Sequence, residues 1–192
     1  MFDGPVQEAI LLPPDPQHAT ATLAGIQLAP LEARHRLALE SLLRRIGRFR
    51  DREIQAALGL FDLGIAAEAN RASTGREEPA PRYELVGAFD GDTMVGFVCF
   101  GSTPATDRTY DLHWIAVSSD AQRAGVGTWL LQHVEEILRV RGARMLVMET
   151  SSRDEYQGTR AFYLAREYVE LARVRDFYAP GDDRVVYGRL LS

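Results

Sequence analysis

Ile115-Ala116-Val117-Ser118-Ser119-Asp120-Ala121-Gln122-Arg123-Ala124-Gly125-Val126-Gly127-Thr128 holds the end of an apolar strand, a polar turn and the start of a helix. The helix that follows is amphipathic, with Leu130, Leu131, Val134, Ile137 and Leu138 facing inward. Gly125 and Gly127 let backbone approach an anion closely. The free N–H groups and the positive dipole end of a helix N-terminus then favour phosphate. Arg123 adds a full charge. By its own physics the segment is a pyrophosphate cradle. The same composition also fits a glycine-containing turn that merely starts a helix. Its spacing is not the dinucleotide fingerprint, which would need glycine at Leu130, and the lysine of a P-loop is missing.

Upstream, Tyr83–Phe89, Thr93–Phe100 and Tyr110–Val117 read as strands of an antiparallel meander. Asp90-Gly91-Asp92 is a hairpin signal between the first two, and residues 101–108 form a second turn region. Before them, Leu31, Leu37, Leu39, Leu42, Leu43 and Ile46 give a helical stripe closed by Gly47. Ile54, Ala57, Leu58, Phe61, Leu63 and Ile65 give a second helix, with Asp51 as its expected cap. Residues 70–82 read as an exposed loop, and Thr20 to Leu28 as a first strand. Downstream, Gly142 closes the long helix and Arg144–Met148 is a strand. A short helix over about Gly158–Arg166 follows, then a hairpin of Val169–Phe177 and Arg184–Leu191. Strand, helix, strand in this half implies one parallel pair with a right-handed crossover. The expectation is an α/β domain over residues 20–192, a mixed twisted sheet of about seven strands flanked by about four helices. Residues 1–19, with Pro5, Pro13, Pro14 and Pro16, read as a separate Pro-rich arm.

The 192 residues suit one domain, and the formal charge of −5 makes a nucleic-acid or anionic-membrane surface a poor expectation. All 22 cations are arginine, which excludes a Schiff-base or kinase-type lysine. Cys99 is the only cysteine, so an internal disulfide is excluded; it reads as packed within a strand rather than as a nucleophile. His18, His35, His113 and His133 lack ligand spacing, so no metal site is expected. No apolar run is long enough for a membrane span, and Met1-Phe2-Asp3-Gly4-Pro5 lacks a basic leader, so a cytoplasmic setting is expected.

Gln122-Arg123-Ala124-Gly125-Val126-Gly127 resembles the Q/R-x-x-G-x-G/A motif of the GNAT acyl-CoA N-acyltransferases, and it stands where that family places it, between the fourth strand and the third helix. Ala161-Phe162-Tyr163-Leu164-Ala165-Arg166-Glu167-Tyr168 resembles the family's later F/L-Y-x-x-x-G-F signature. The element order from about residue 20 to 191 is similar too. The resemblance implies a GNAT-type fold with acetyl-CoA as co-substrate. It implies that the backbone of Ile115 and Val117 holds the pantetheine arm. It gives the pyrophosphate to Gln122, Arg123, Ala124, Gly125, Val126, Gly127 and Thr128. It makes Tyr163 the general acid toward the leaving thiolate, and a phenol with pKa near 10 is indeed protonated at neutral pH. Two positions depart from the pattern. Glu167 stands where the family usually has glycine, and Tyr156 where it often has asparagine.

An acceptor amine must lose a proton before it attacks. Asp111 and Glu149 are the candidate bases: histone-acetylating GNATs are similar in placing a carboxylate at the position of Asp111, and Glu149 ends the next strand. His113 is expected on the same strand face as Asp111, as a substrate contact. Each also fits an ordinary ion pair or hydrogen bond. Phe177 and Tyr178 are expected to line the acceptor pocket. The acids around them would suit a cationic acceptor, or simply a solvated turn. The activity expected is transfer of acetyl from acetyl-CoA to a primary amine, on a small molecule or a peptide, by direct attack. The resemblance makes a homodimer reasonable. The competing expectation is a non-catalytic acyl-CoA-binding sensor or interaction module. A Rossmann-like nucleotide binder is disfavoured by the glycine spacing and the meander.

Overall fold

Gly25, at φ +87°, breaks the expected first strand in two. Thr22–Leu23 (β1) and Ile26–Pro30 (β2) pair antiparallel across it. The computed structural model describes residues 22–23, 25–74, 83–122 and 124–191. The Pro-rich arm expected over residues 1–19 lies outside the described residues, as does Arg123.

A 3-10 turn at Ala33–His35 leads into Arg36–Ile46 (α1), which buries Leu39, Leu42 and Leu43. Gly47 ends it in the left-handed region, at φ +73°, as expected of a C-terminal glycine. Asp51–Thr74 (α2) runs past residue 70, where a loop was expected. Asp51 does not cap it. Its carboxylate accepts from Arg44 at 3.1 Å, and it is the Glu53 carboxylate that turns back to the Arg50 N–H, at 2.7 Å.

Glu84–Asp90 (β3), Thr93–Ser102 (β4) and Thr109–Val117 (β5) form the expected meander. Ser119–Gln122 (α3) is a single turn before Val126–Val140 (α4). Met145–Ser151 (β6), a 3-10 turn at Asp154–Tyr156, Gln157–Leu164 (α5), Val169–Ala179 (β7) and Asp182–Leu190 (β8) complete the described chain. The last hairpin is tighter than expected, with only Pro180 and Gly181 between its strands. The sheet order is β1-β2-β3-β4-β5-β6-β8-β7, and β5–β6 is the parallel pair. Counting the two-residue β1, the sheet has eight strands.

The sheet separates two apolar clusters. Leu112, Val117, Leu130, Val134 and Leu146 belong to the one under α4 and α5. Leu39, Leu43, Leu58, Phe97 and Ala116 belong to the one under α1 and α2. Burying a leucine contributes about 1.5–3 kcal/mol, so each cluster stabilises the helices that cover it.

β5 changes faces partway along. Leu112 pairs with Phe100 and Trp114 with Cys99, so His113 is an extra residue on β5. The bulge reverses the alternation. Tyr110 and Leu112 pack in the α4 layer, whereas Trp114 and Ala116 pack in the α1–α2 layer. A regular strand would have placed all four on one side.

Glu167 sits at φ +64°. The chain thus keeps the left-handed turn that glycine usually makes at such a site, using a side chain that disfavours it. Tyr168 N–H returns to the Tyr163 carbonyl at 3.2 Å, and Glu167 Oε2 pairs with Arg189 at 2.8 Å.

Candidate active site

β5 and β6 pair only from Thr109–Met145 to Leu112–Met148. Beyond that they part: β5 runs on to Val117 and β6 to Ser151, each held only by its outer neighbour. A cleft of about 640 Å³ opens at this splay. It takes residues from both layers. Gln122, Gly127, Thr128, Phe162 and Arg166 line it on the α4–α5 side, and Ile46, Arg48, Phe49, Arg52 and Ala56 on the α1–α2 side.

On the α4 side, Gly125 is the N-cap at φ +80°, a conformation that glycine adopts without strain. The first N–H groups of a helix have no intrahelical acceptor, and here Trp129 N–H bonds back to the Gly125 carbonyl at 3.0 Å. Gly127 lies close to Phe162; a Cβ there would stand 3.4 Å from the ring. The Gln122 side-chain amide donates to the Val117 carbonyl at 3.0 Å, which fixes the turn to the strand end. Val126 is wholly buried and Ala124 and Gly125 do not line the cleft, so any contribution from these three is by backbone alone.

Sequence reasoning missed Arg166. Its guanidinium lies 3.7 Å over the Phe162 ring, donates to the Phe162 carbonyl at 2.8 Å and to the Thr128 hydroxyl, and leaves a buried Nε without a partner among the described residues. It brings a cation to the helix N-terminus, held by contacts 38 residues apart in sequence. The signal was within the second signature, three residues after Tyr163, but only packing of α5 on α4 gives it a role.

Tyr163 lines the cleft and is itself buried, among the rings of Phe162, Tyr168 and Tyr187. Burial raises its pKa well above that of a free phenol. The proton is therefore fully present at neutral pH.

The carboxylates separate. Glu149 lines the cleft; its Oε1 accepts from the Tyr178 hydroxyl at 3.3 Å, and its Oε2 pairs with Arg184. Burial and the Glu149 charge push the Tyr178 phenol up to about 12. Asp111 lies outside the cleft lining, on the paired part of β5, and accepts from the Thr103 hydroxyl at 2.7 Å. His113 does line the cleft, edge-on to Tyr83 at 5.0 Å, with Nε2 buried and without a hydrogen-bond partner among the described residues. Burial lowers its pKa against the opposing influence of Asp111 and Glu149, so the ring is neutral at pH 7. Ile115, Val117 and Tyr178 line the cleft; Phe177 does not, being half exposed beside Arg184. Tyr156, where the resemblance led one to look for asparagine, lines the cleft and donates to Glu53 at 3.1 Å. Among the described residues no group of three or more His, Cys, Asp or Glu could hold a metal ion, and no helix is long and apolar enough to cross a membrane.

The profile of the acetyltransferase (GNAT) family matches residues 52–168, which holds the splayed strands, α4 and α5. The chain belongs to the GNAT acetyltransferases. A GNAT-family protein from Desulfovibrio desulfuricans is 32% identical, with 87% of this chain and 99% of that one covered at a TM-score of 0.76. The ribosomal-protein-S18-alanine N-acetyltransferase of Escherichia coli shares the fold at 22% identity, covering 87% and 94% of the two chains with a TM-score of 0.63. The yncA protein of Salmonella typhimurium, solved with acetyl-CoA as its cofactor, shares it at 14% identity, covering 88% and 95% with a TM-score of 0.62. No curated protein sequence matches the chain. As a GNAT protein the chain is an acyltransferase, and the strand count, the β5–β6 pair and the glycine turn agree with the fold expected from sequence.

Proposed function

We propose that this GNAT acyltransferase moves acetyl from acetyl-CoA to a primary amine by direct attack. The observation that carries this reading is the splay of β5 from β6 beyond Leu112, with the Tyr163 phenol and the start of α4 on one cleft. The exposed edge of β5 from Ile115 to Val117 offers main-chain groups to an extended pantetheine arm, as an added strand would use them. The backbone from Gln122 to Thr128, with Arg123 and Arg166, suits the pyrophosphate. Acetyl-CoA supplies the activated acyl group; the acetyl-CoA bound to yncA supports the assignment by analogy.

Glu149 takes the proton of the incoming ammonium, directly or through one water. It is the base favoured over Asp111, because it lines the cleft and Asp111 does not. A β5 N–H stabilises the charge that develops on the carbonyl oxygen. Tyr163 gives its proton to the departing thiolate. Neutral His113 accepts a hydrogen bond from the acceptor.

Thermal melting with acetyl-CoA, CoA and NAD, followed by thiol release with an amine panel, tests the proposal. Ligand at about 100 times its Kd stabilises a fold by about 2.7 kcal/mol. Stabilisation by both CoA species but not by NAD, with amine-dependent thiol release, is the expected result. Stabilisation without release from any amine would favour the sensor reading, and no stabilisation would remove the donor.

A further inference from the structure

The α1–α2 side of the cleft carries two arginines that pair with no carboxylate among the described residues. Arg48, in the α1–α2 loop, and Arg52, in the first turn of α2, both line it. Neither side chain has a hydrogen-bond or ion-pair partner among the described residues. The neighbouring charges are engaged. Arg153 pairs with Asp182 at 3.3 Å and with Glu155 at 3.4 Å. Glu149 pairs with Arg184. Glu53, the carboxylate beside Arg52, takes the Tyr156 hydroxyl at 3.1 Å and the Arg50 N–H at 2.7 Å.

The acids of the β7–β8 hairpin, which suggested a cationic acceptor, are equally committed. Asp182 accepts from Ser151 at 2.5 Å as well as from Arg153. Asp183 accepts from Arg173 at 3.2 Å and from the Asp176 N–H at 3.1 Å, and Asp176 accepts from the Gly181 N–H at 2.6 Å. These carboxylates fold the turn. Among the described residues of the cleft, the cations left without a partner are the arginine pair.

That pair stands in the α1–α2 layer, across the sheet from α4, so a phosphate at the α4 N-terminus is on the other face. Between Arg48 and Arg52 lies Phe49, packed edge-on against Trp114 at 5.2 Å, with Ala56 one turn along α2. Guanidinium forks match carboxylate and phosphonate oxygens in pairs.

Resting on the acetyl-transfer reading, we infer that the acceptor is an amine that carries an anionic group on the same small molecule or residue pair. Arg48 and Arg52 hold the anion, Phe49 and Trp114 pack its apolar part, and the amine reaches Glu149. Two sources share this chemistry: a free amino acid or its phosphonate analogue, and a peptide whose second residue is acidic.

Thiol-release kinetics at saturating acetyl-CoA test it. The probes are the common L-amino acids, their carboxamides, 2-aminoethylphosphonate, and Ala-Glu against Ala-Gln amide. The best anionic acceptor should exceed its neutral partner at least about tenfold in kcat/KM. Arg52→Ala and Arg48→Ala should each bring that ratio toward one, chiefly through KM for the anionic acceptor. Which pair shows the preference separates free amino acid from peptide. A neutral partner that matches or exceeds its anionic counterpart overturns the inference while leaving acetyl transfer intact. So does a rise in KM for acetyl-CoA in the arginine variants. If no amine releases thiol, the transfer reading fails instead. The anion site is then read by melting of the CoA-loaded protein, where stabilisation by carboxylate but not carboxamide, lost in Arg52→Ala, upholds it, and equal stabilisation overturns it.

Discussion

The Tyr178 hydroxyl stands 3.3 Å from Glu149 Oε1, and this bond joins the end of β7 to the end of β6 over the intervening β8. If Glu149 is the base, Tyr178 sets the direction in which its free lone pairs point. Glu149→Gln should lower kcat/KM by about 10²–10⁴. Tyr178→Phe should cost less, about threefold to tenfold, with acetyl-CoA binding retained. Steady-state kinetics of both variants check this; equal losses would mean that the tyrosine itself moves the proton.

Tyr163→Phe should lower kcat by about 10² or more and leave the melting shift with CoA in place. Because burial raises the Tyr163 pKa, its proton is not lost in the ordinary alkaline range. The rate in the wild type should therefore hold to at least about pH 9 before any fall due to this group. A pH–rate profile at saturating acetyl-CoA checks the point, and a fall centred near pH 8 would point to a different acid.

Glu167→Gly should stabilise the fold. A side chain at φ +64° costs about 1–2 kcal/mol, and glycine returns about 0.5–1 of that to the unfolded chain. The ion pair to Arg189 is exposed on the glutamate side and contributes little. A net gain of about 0.5–1 kcal/mol is expected by denaturant melting. A loss would mean that the pair with Arg189 outweighs the strain.

Burial lowers the pKa of both His113 and His133. The unfolded chain then binds protons on these rings at a higher pH than the folded one does. Stability from this source is unchanged above the ordinary histidine value and falls as pH drops below it. The melting temperature should decline from about pH 7 to pH 5, and replacing both residues with glutamine should flatten that slope. An unchanged slope would place the acid sensitivity among the carboxylates or at His35, whose pKa burial also lowers.

The glycine turn, α4 and the meander were legible because each rests on local chemistry: a conformation that glycine permits, a helical period, alternating strands. Tyr163 was singled out by resemblance to a family signature, and its ring lines the cleft. The bulge at His113 was not. It arises from the register between β4 and β5, and nothing within Thr109–Val117 announces it. Its consequence is specific: the two-residue period fails across His113, and Trp114 turns to the α1–α2 layer. Gly25 did carry a signal, a glycine inside a strand pattern, and it marked a turn. Arg48, Arg52 and Arg166 are ordinary surface arginines in sequence; only the closing of distant elements around the splay brings them to one cleft. Asp111 and Glu149 were alike as sequence candidates, and the extent of β5–β6 pairing separates them.

The two apolar clusters have no buried residue in common, and this bears on how such a protein can change. A repacking beneath α1 and α2 stops at the sheet. The α4 layer, which meets the donor in the proposed reading, is reached only through the shared strands. Random mutation concentrated in Arg36–Thr74 should therefore yield folded variants with altered acceptor choice far more often than the same load placed between Ser119 and Leu164. The sheet works as a bulkhead: one compartment can be rebuilt while the other stays in service.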